Sequence, residues 1–172
     1  MHVRPVTRDD AEAIRTIYNR EVVGSTVTFD LVPRTLDEQL QWIDEHSGAH
    51  PAIVAVDGDD RVRGFASLSP YRTRPAYRTT VEDSVYVEGD SRGTGVGHLL
   101  LSEVVALAAT HGFHAVMARV VGNHEASIRL HHGCGFELVG VEREVGRKFG
   151  TWLDVALMQR LVRDPPPTRA GP

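Results

Sequence analysis

Cysteine is almost absent. Cys134 stands alone among 172 residues, so no intrachain disulfide framework can form and the core must hold the fold. Aromatic residues are few, at 6%. Apolar runs such as Ile53 to Val56 fall far short of the ~20 residues that cross a bilayer. The opening Met1-His-Val-Arg-Pro-Val6 lacks the apolar stretch of a secretory signal. These absences predict a cytoplasmic protein with no membrane partner. Positive charge is not in surplus either: 19 Lys and Arg against 23 Asp and Glu leave −4, which argues against a nucleic-acid partner.

What remains is ordinary globular usage, 41% apolar and 24% charged, which excludes a disordered chain, a coiled coil or a collagen-like fibre. At roughly 150 residues per domain the length predicts one domain, able to bury about 68–70% of its unfolded surface. Pro165 to Pro172 holds four prolines in eight residues and can enter neither helix nor sheet interior. Residues 1–163 are therefore expected as one domain and 164–172 as a disordered, proline-rich tail.

The patterning alternates strand and helix. His2 to Pro5 reads as a strand. Thr7 is placed to cap a helix carrying Ala11, Ile14, Ile17 and Tyr18 at helical spacing. Thr35-Leu-Asp-Glu38 fits a capping box opening a second helix. Ile53–Val56 and Val62–Tyr71 form a hairpin about the Asp57–Asp60 turn. After a basic loop, Arg72–Arg78, the strand 79–88 places Val81, Asp83, Val85 and Val87 on one face and Glu82, Ser84 and Tyr86 on the other. A long helix from Gly95 to His111 turns Leu99, Leu100, Val104 and Leu107 inward. A strand at 115–120 and a helix at 125–132 follow, the helix stopped by Gly133 and Gly135. Strands at 137–145 and 152–161 flank a loop, Gly146–Gly150. The fold class is α/β (α+β).

Between the strand ending at Val87 and the next helix lies Ser91-Arg-Gly-Thr-Gly-Val-Gly97. This layout gathers free backbone N–H groups and a helix N-terminus, an arrangement that binds phosphate, while glycines allow close approach and Arg92 adds a charge. A P-loop would need Gly-Lys-Ser/Thr, but Gly97 is followed by His98 and Leu99. A dinucleotide fingerprint would need a third glycine where His98 stands.

Arg92-Gly-Thr-Gly95-Val-Gly97 resembles the Q/R-x-x-G-x-G/A signature of the GCN5-related N-acetyltransferases (GNAT), and Asn123, Ser127, Leu130, His131 and Gly135-Phe136 resemble that superfamily's second block. Ser25–Phe29, Tyr71–Tyr77, Thr80–Val87 and Gly150–Val155 resemble the phosphinothricin or methionine sulfoximine N-acetyltransferases. The resemblance covers residues 2 to 162. It implies the GNAT fold, a mixed, mostly antiparallel central sheet flanked by helices. It also implies acetyl-CoA as co-substrate, a small amino acid as partner, a homodimer and a role in detoxification or resistance.

The resemblance also assigns roles. Glu82 is the candidate base that frees the amine of its proton, with Asp83 a lesser candidate. The strand splays at a bulge, and a backbone N–H near Val87 stabilises the acyl oxygen. His131 occupies the slot of a thiolate-protonating Tyr, as acid or as cofactor contact. Val85, Tyr86, Val87, Arg92, Gly93, Thr94, Gly95, Val96, Gly97, Asn123, Ser127 and His131 are expected to bind the cofactor. Phe29, Arg72, Arg74, Tyr77 and Glu82 are expected to bind the substrate, the arginines meeting its acidic groups. No metal is expected: His124 and His131, seven residues apart on a helix, stand about 10 Å from each other. Cys134 reads as a small buried side chain and Trp152 as packing. Two other readings stay open: a broader L-amino acid N-acyltransferase, and a non-catalytic acyl-CoA-binding sensor.

Overall fold

The structure, a computed structural model, describes residues 1–122 and 124–162. Asn123 and the expected tail, 164–172, lie outside the described residues. Among the described residues seven strands and four α-helices follow in the order β1 (His2–Pro5), α1 (Ala11–Gly24), α2 (Leu36–Glu45), β2 (Ala52–Val56), β3 (Val62–Pro70), β4 (Thr80–Val87), α3 (Val96–Thr110), β5 (Ala115–Val121), α4 (Glu125–Gly133), β6 (Glu137–Lys148) and β7 (Thr151–Leu161). They build one sheet in the order β1-β2-β3-β4-β5-β7-β6. Every neighbouring pair is antiparallel except β4–β5, which is parallel. No described helix is long and apolar enough to cross a membrane.

Strand alternation divides the core between the two faces. Ile53, Ala55, Ala66, Leu68 and Val81 pack with α3 through Val96, Leu100, Leu101, Val104, Val105 and Ala108. Val54, Val56 and Phe65, one residue out of phase, pack with α1 through Ile14, Ile17, Tyr18 and Val22. On α3 the inward stripe starts one residue later than expected: Leu99 is 37% exposed, and Leu101 and Val105 take the interior. At 100° per residue, a stripe through 100, 101, 104, 105 and 108 leaves 99 at its margin.

The capping box at α2 is present. Thr35 Oγ1 accepts from Glu38 N–H at 3.2 Å and Glu38 Oε2 accepts from Thr35 N–H at 2.7 Å. Thr7 opens a short 3-10 turn (Arg8–Asp10) ahead of α1. There Asp10 accepts from the Thr7 N–H and hydroxyl and from both terminal nitrogens of Arg4.

The expected loop 146–150 shrinks to a tight turn. β6 continues through Gly146, paired with Leu153, to Lys148. Phe149 and Gly150 make the turn with φ of 49° and 77°, the left-handed pair a two-residue hairpin needs. A slip between Glu142 and Gly146 is absorbed at Glu144, whose N–H donates to Asp154 Oδ1 at 2.8 Å.

Candidate active site

β4 and β5 start side by side and then part. Pairing runs Thr80↔Ala115, Val81↔Val116, Glu82↔Met117 and ends, although β4 continues to Val87 and β5 to Val121. The expected splay is there without the expected bulge, for the register of β4 on β3 is unbroken from Pro70↔Val81 to Gly64↔Val87. The strands diverge, and the wedge is a cavity of about 600 Å³.

Alternation assigns the walls. On the α3/α4 side stand Val85, Val87, Gly93, Gly95, Gly97, Ala118, Val120, Ser127, Leu130 and His131. On the α1 side stand Glu82, Ser84, Tyr86, Arg119, Val121, Thr28 and Phe29. Tyr86 is fixed by Phe65, stacked at 5.2 Å, and by Tyr18, edge-on at 5.1 Å.

Gly93 and Gly95 have φ of 75° and 92°, and a Cβ on either would meet open space. Both conformations disfavour L side chains, and both leave the backbone accessible. Gly97 is tight: a Cβ there would lie 3.2 Å from Leu130 Cδ2. The helix ladder starts with Leu99 N–H donating to Gly95 O at 3.0 Å, so the N–H groups of Val96, Gly97 and His98 have no intrahelical acceptor. Thr94 fixes the loop by donating to Ser91 O at 2.7 Å. Its side chain and that of Val96, buried in the core, do not line the cavity. Arg92 is less free than the sequence suggested: it pairs with the buried Glu21 and donates through Nε to Val87 O at 3.2 Å. Amides, open glycines and a guanidinium suit a coenzyme diphosphate. Among the described residues no group of three His, Cys, Asp or Glu could hold a metal ion.

Glu88 N–H donates to Arg63 O on β3 at 2.9 Å. Successive strand N–H groups point to opposite edges, so the N–H of Val87, like that of Val85, points away from β3 into the wedge.

Glu82 stands on the opposite wall. Burial pushes its carboxyl above the usual 4.5, with Asp83 and Glu142 adding to the rise and Arg119 and Arg72 opposing it. Asp83 faces α4, where its Oδ2 lies 3.1 Å from His131 Nε2, while His131 Nδ1 lies 2.7 Å from Ser127 O. Both residues are buried, and Asp83 Oδ1 has no hydrogen-bond partner among the described residues. Burial lowers the His131 pKa, but the hydrogen bond and charge of Asp83, with the Ser127 carbonyl, outweigh it and leave the imidazole above 6.5.

Phe29 lines the cavity and is held from β6. A Cβ on Gly146 would fall 2.2 Å from its ring, and the buried Lys148 donates to Thr28 O at 2.8 Å. Arg72, Arg74 and Tyr77 do not line the cavity. Arg72 lies over Tyr71 at 4.8 Å, and Tyr77 packs edge-on to Tyr71 at 5.6 Å. Cys134 is buried away from the wedge, 3.7 Å from Ser102 Oγ. Trp152, expected as packing, is 58% exposed. The sequence reading missed Glu21, Arg119, Lys148 and the Asp83–His131 pair. Arg119 had a legible signal, a lone charge in the apolar strand Ala115–Val121.

A strand-loop-helix cradle beside a parallel splay defines an acyltransferase-type fold, and comparison with known proteins agrees. The acetyltransferase (GNAT) domain family matches residues 3–157, and the chain belongs to this family. It is 39% identical over 163 residues to the phosphinothricin N-acetyltransferase of Streptomyces coelicolor, covering 93% of this chain and 95% of the relative. It is 39% identical over 164 residues to the L-methionine sulfoximine/L-methionine sulfone acetyltransferase of Pseudomonas paraeruginosa, covering 95% and 94%. The crystal structure of a GNAT phosphinothricin acetyltransferase from Sinorhizobium meliloti in complex with acetyl-CoA superposes with a TM-score of 0.90 at 38% identity, covering 94% of this chain and 88% of that one. The chain is a GNAT acetyltransferase of this branch, as the sequence blocks implied.

Proposed function

We propose that this enzyme acetylates the α-amino group of L-phosphinothricin or of methionine sulfoximine or sulfone, by direct attack within a ternary complex, and that the reaction detoxifies such compounds. The observation that carries the reading is the wedge itself, which joins an anion cradle on one face of the sheet to a carboxylate on the other.

The amides of Gly93, Gly95, Val96 and Gly97, with Arg92, would hold the coenzyme's diphosphate, and Val85, Val87, Ser127 and Leu130 would flank its arm. Acetyl-CoA supplies the acetyl thioester and a thiolate leaving group. Glu82 takes the ammonium proton of the acceptor, directly or through one water. Its raised pKa brings it nearer the amine and makes it a better base than an exposed carboxylate. The Val87 N–H presents a fixed donor where negative charge gathers on the acyl oxygen, a service worth about 3–4 kcal/mol at comparable sites. His131 carries the proton on the α4 wall. Its ring nitrogens lie against Asp83 and Ser127, so release of a proton requires one of these contacts to open. The exposed Leu138, Val139 and Val141 of β6 support a homodimer through this edge.

One observation favours a broader L-amino acid acceptor range: Arg72 and Arg74, expected to meet the substrate's acidic groups, do not line the cavity. Thiol release from acetyl-CoA with L-phosphinothricin, L-methionine sulfone and L-methionine tests both. The first two should react at least tenfold faster than methionine. Equal rates would favour the broader range, and no release with any acceptor would overturn acetyl transfer.

A further inference from the structure

Of the two arginines on the cavity wall among the described residues, Arg92 is committed to Glu21 and to the Val87 carbonyl. Arg119 is different. Met117 pairs directly with Glu82, and Arg119, two residues further along β5, shares its face, about 7 Å onward at strand rise. Arg119 Nη2 lies 2.8 Å from Glu142 Oε2, both side chains being 31% exposed. Yet Glu142 Oε2 has no hydrogen-bond partner among the described residues. The contact has charge and proximity without a directed hydrogen bond, so this buried oxygen is left short of a donor.

We propose that Arg119 seats the α-carboxylate of the acceptor, which replaces Glu142 on the guanidinium when it binds. An α-amino acid carries its carboxylate two bonds from its amine. An amine held at Glu82 therefore brings an anion to the same wall, and among the described residues Arg119 is the cavity-lining cation on that wall. Guanidinium recognises carboxylate through two parallel N–H bonds, a geometry Glu142 does not achieve. The exchange releases Glu142 from the guanidinium. The function is selection for free amino acids over amides and peptides. This inference rests on the acetyl-transfer reading above.

The test compares L-methionine sulfone with its α-amide as acceptors at saturating acetyl-CoA, in the wild type, Arg119→Met and Glu142→Gln. Wild-type turnover of either acceptor secures acetyl transfer independently. Arg119→Met should raise the KM of the acid at least tenfold and that of the amide less than threefold, with the acetyl-CoA KM within twofold as the check on folding. Glu142→Gln should lower the KM of the acid several-fold. Equal losses on acid and amide in Arg119→Met would overturn the carboxylate seat. An unchanged or higher acid KM in Glu142→Gln would overturn the exchange.

Discussion

His131 bridges α4 and β4, its Nε2 3.1 Å from Asp83 Oδ2 and its Nδ1 2.7 Å from Ser127 O and 3.3 Å from Ser127 Oγ. The Ser127 carbonyl takes an N–H at Nδ1, and the hydrogen bond and charge of Asp83 raise the ring's pKa, which favours an imidazolium paired with a buried carboxylate at the side of the wedge.

The pair has a pH signature. The folded His131 pKa is raised above 6.5, burial being outweighed by Asp83 and the Ser127 carbonyl. Its stabilisation is fully present below the unfolded value near 6.5 and is lost as pH rises through the folded value. Asp83→Asn should cost about 3–5 kcal/mol at pH 5.5 and less at pH 8.5, by urea unfolding. Histidine NMR should show a midpoint above 6.5 in the wild type and a lower one in the variant. A wild-type midpoint below 6.5 would refute the ion pair.

Glu82→Gln should reduce kcat by roughly 10²- to 10⁴-fold, most at low pH, where acceptor amines are protonated. Because burial raises the carboxyl above 4.5, wild-type activity should climb as pH passes through that higher value and the base ionises. The variant should lose that limb and recover in part where the amine ionises unaided. A pH–rate profile of kcat/KM decides it, and wild-type rates in the variant across the range would remove Glu82 from the mechanism.

Gly95→Ala tests the cradle. At φ of 92° an alanine is strained by about 1–2 kcal/mol, while its Cβ meets no neighbour. The strain should be relieved by rotating the first-turn amides of α3 away from the cavity. The expected result is an acetyl-CoA KM raised tenfold or more with the amino-acid KM within twofold. The reverse pattern would place the coenzyme elsewhere.

Local features were readable in the sequence because short-range rules write them. The Thr35–Glu38 box, the alternation of β4 and the glycine loop each lie within a few residues. The site's electrostatics were not. Asp83 meets His131 across 48 residues and Arg92 meets Glu21 across 71, pairings that exist only once the sheet order is set. β6 ran past Gly146 for a similar reason: the glycine that reads as a loop serves instead as space for Phe29. Arg72 and Arg74 were expected to meet the substrate because their loop adjoins β4; neither lines the cavity, although the charge of Arg72 still reaches Glu82.

Cys134 distinguishes direct transfer from a covalent relay. An acyl-cysteine route needs a thiolate that is accessible and activated. Cys134 is buried, lies off the cavity wall and has the Ser102 hydroxyl at 3.7 Å as its polar neighbour. It behaves as a small core side chain beneath α3 and beside Phe136. Cys134→Ala should keep kcat within about twofold while losing roughly 1 kcal/mol of stability, the scale of a small core truncation. Initial-rate patterns should intersect, as for a ternary complex. Parallel lines, or a folded Cys134→Ala enzyme without activity, would require a covalent intermediate and a different route for the acyl group.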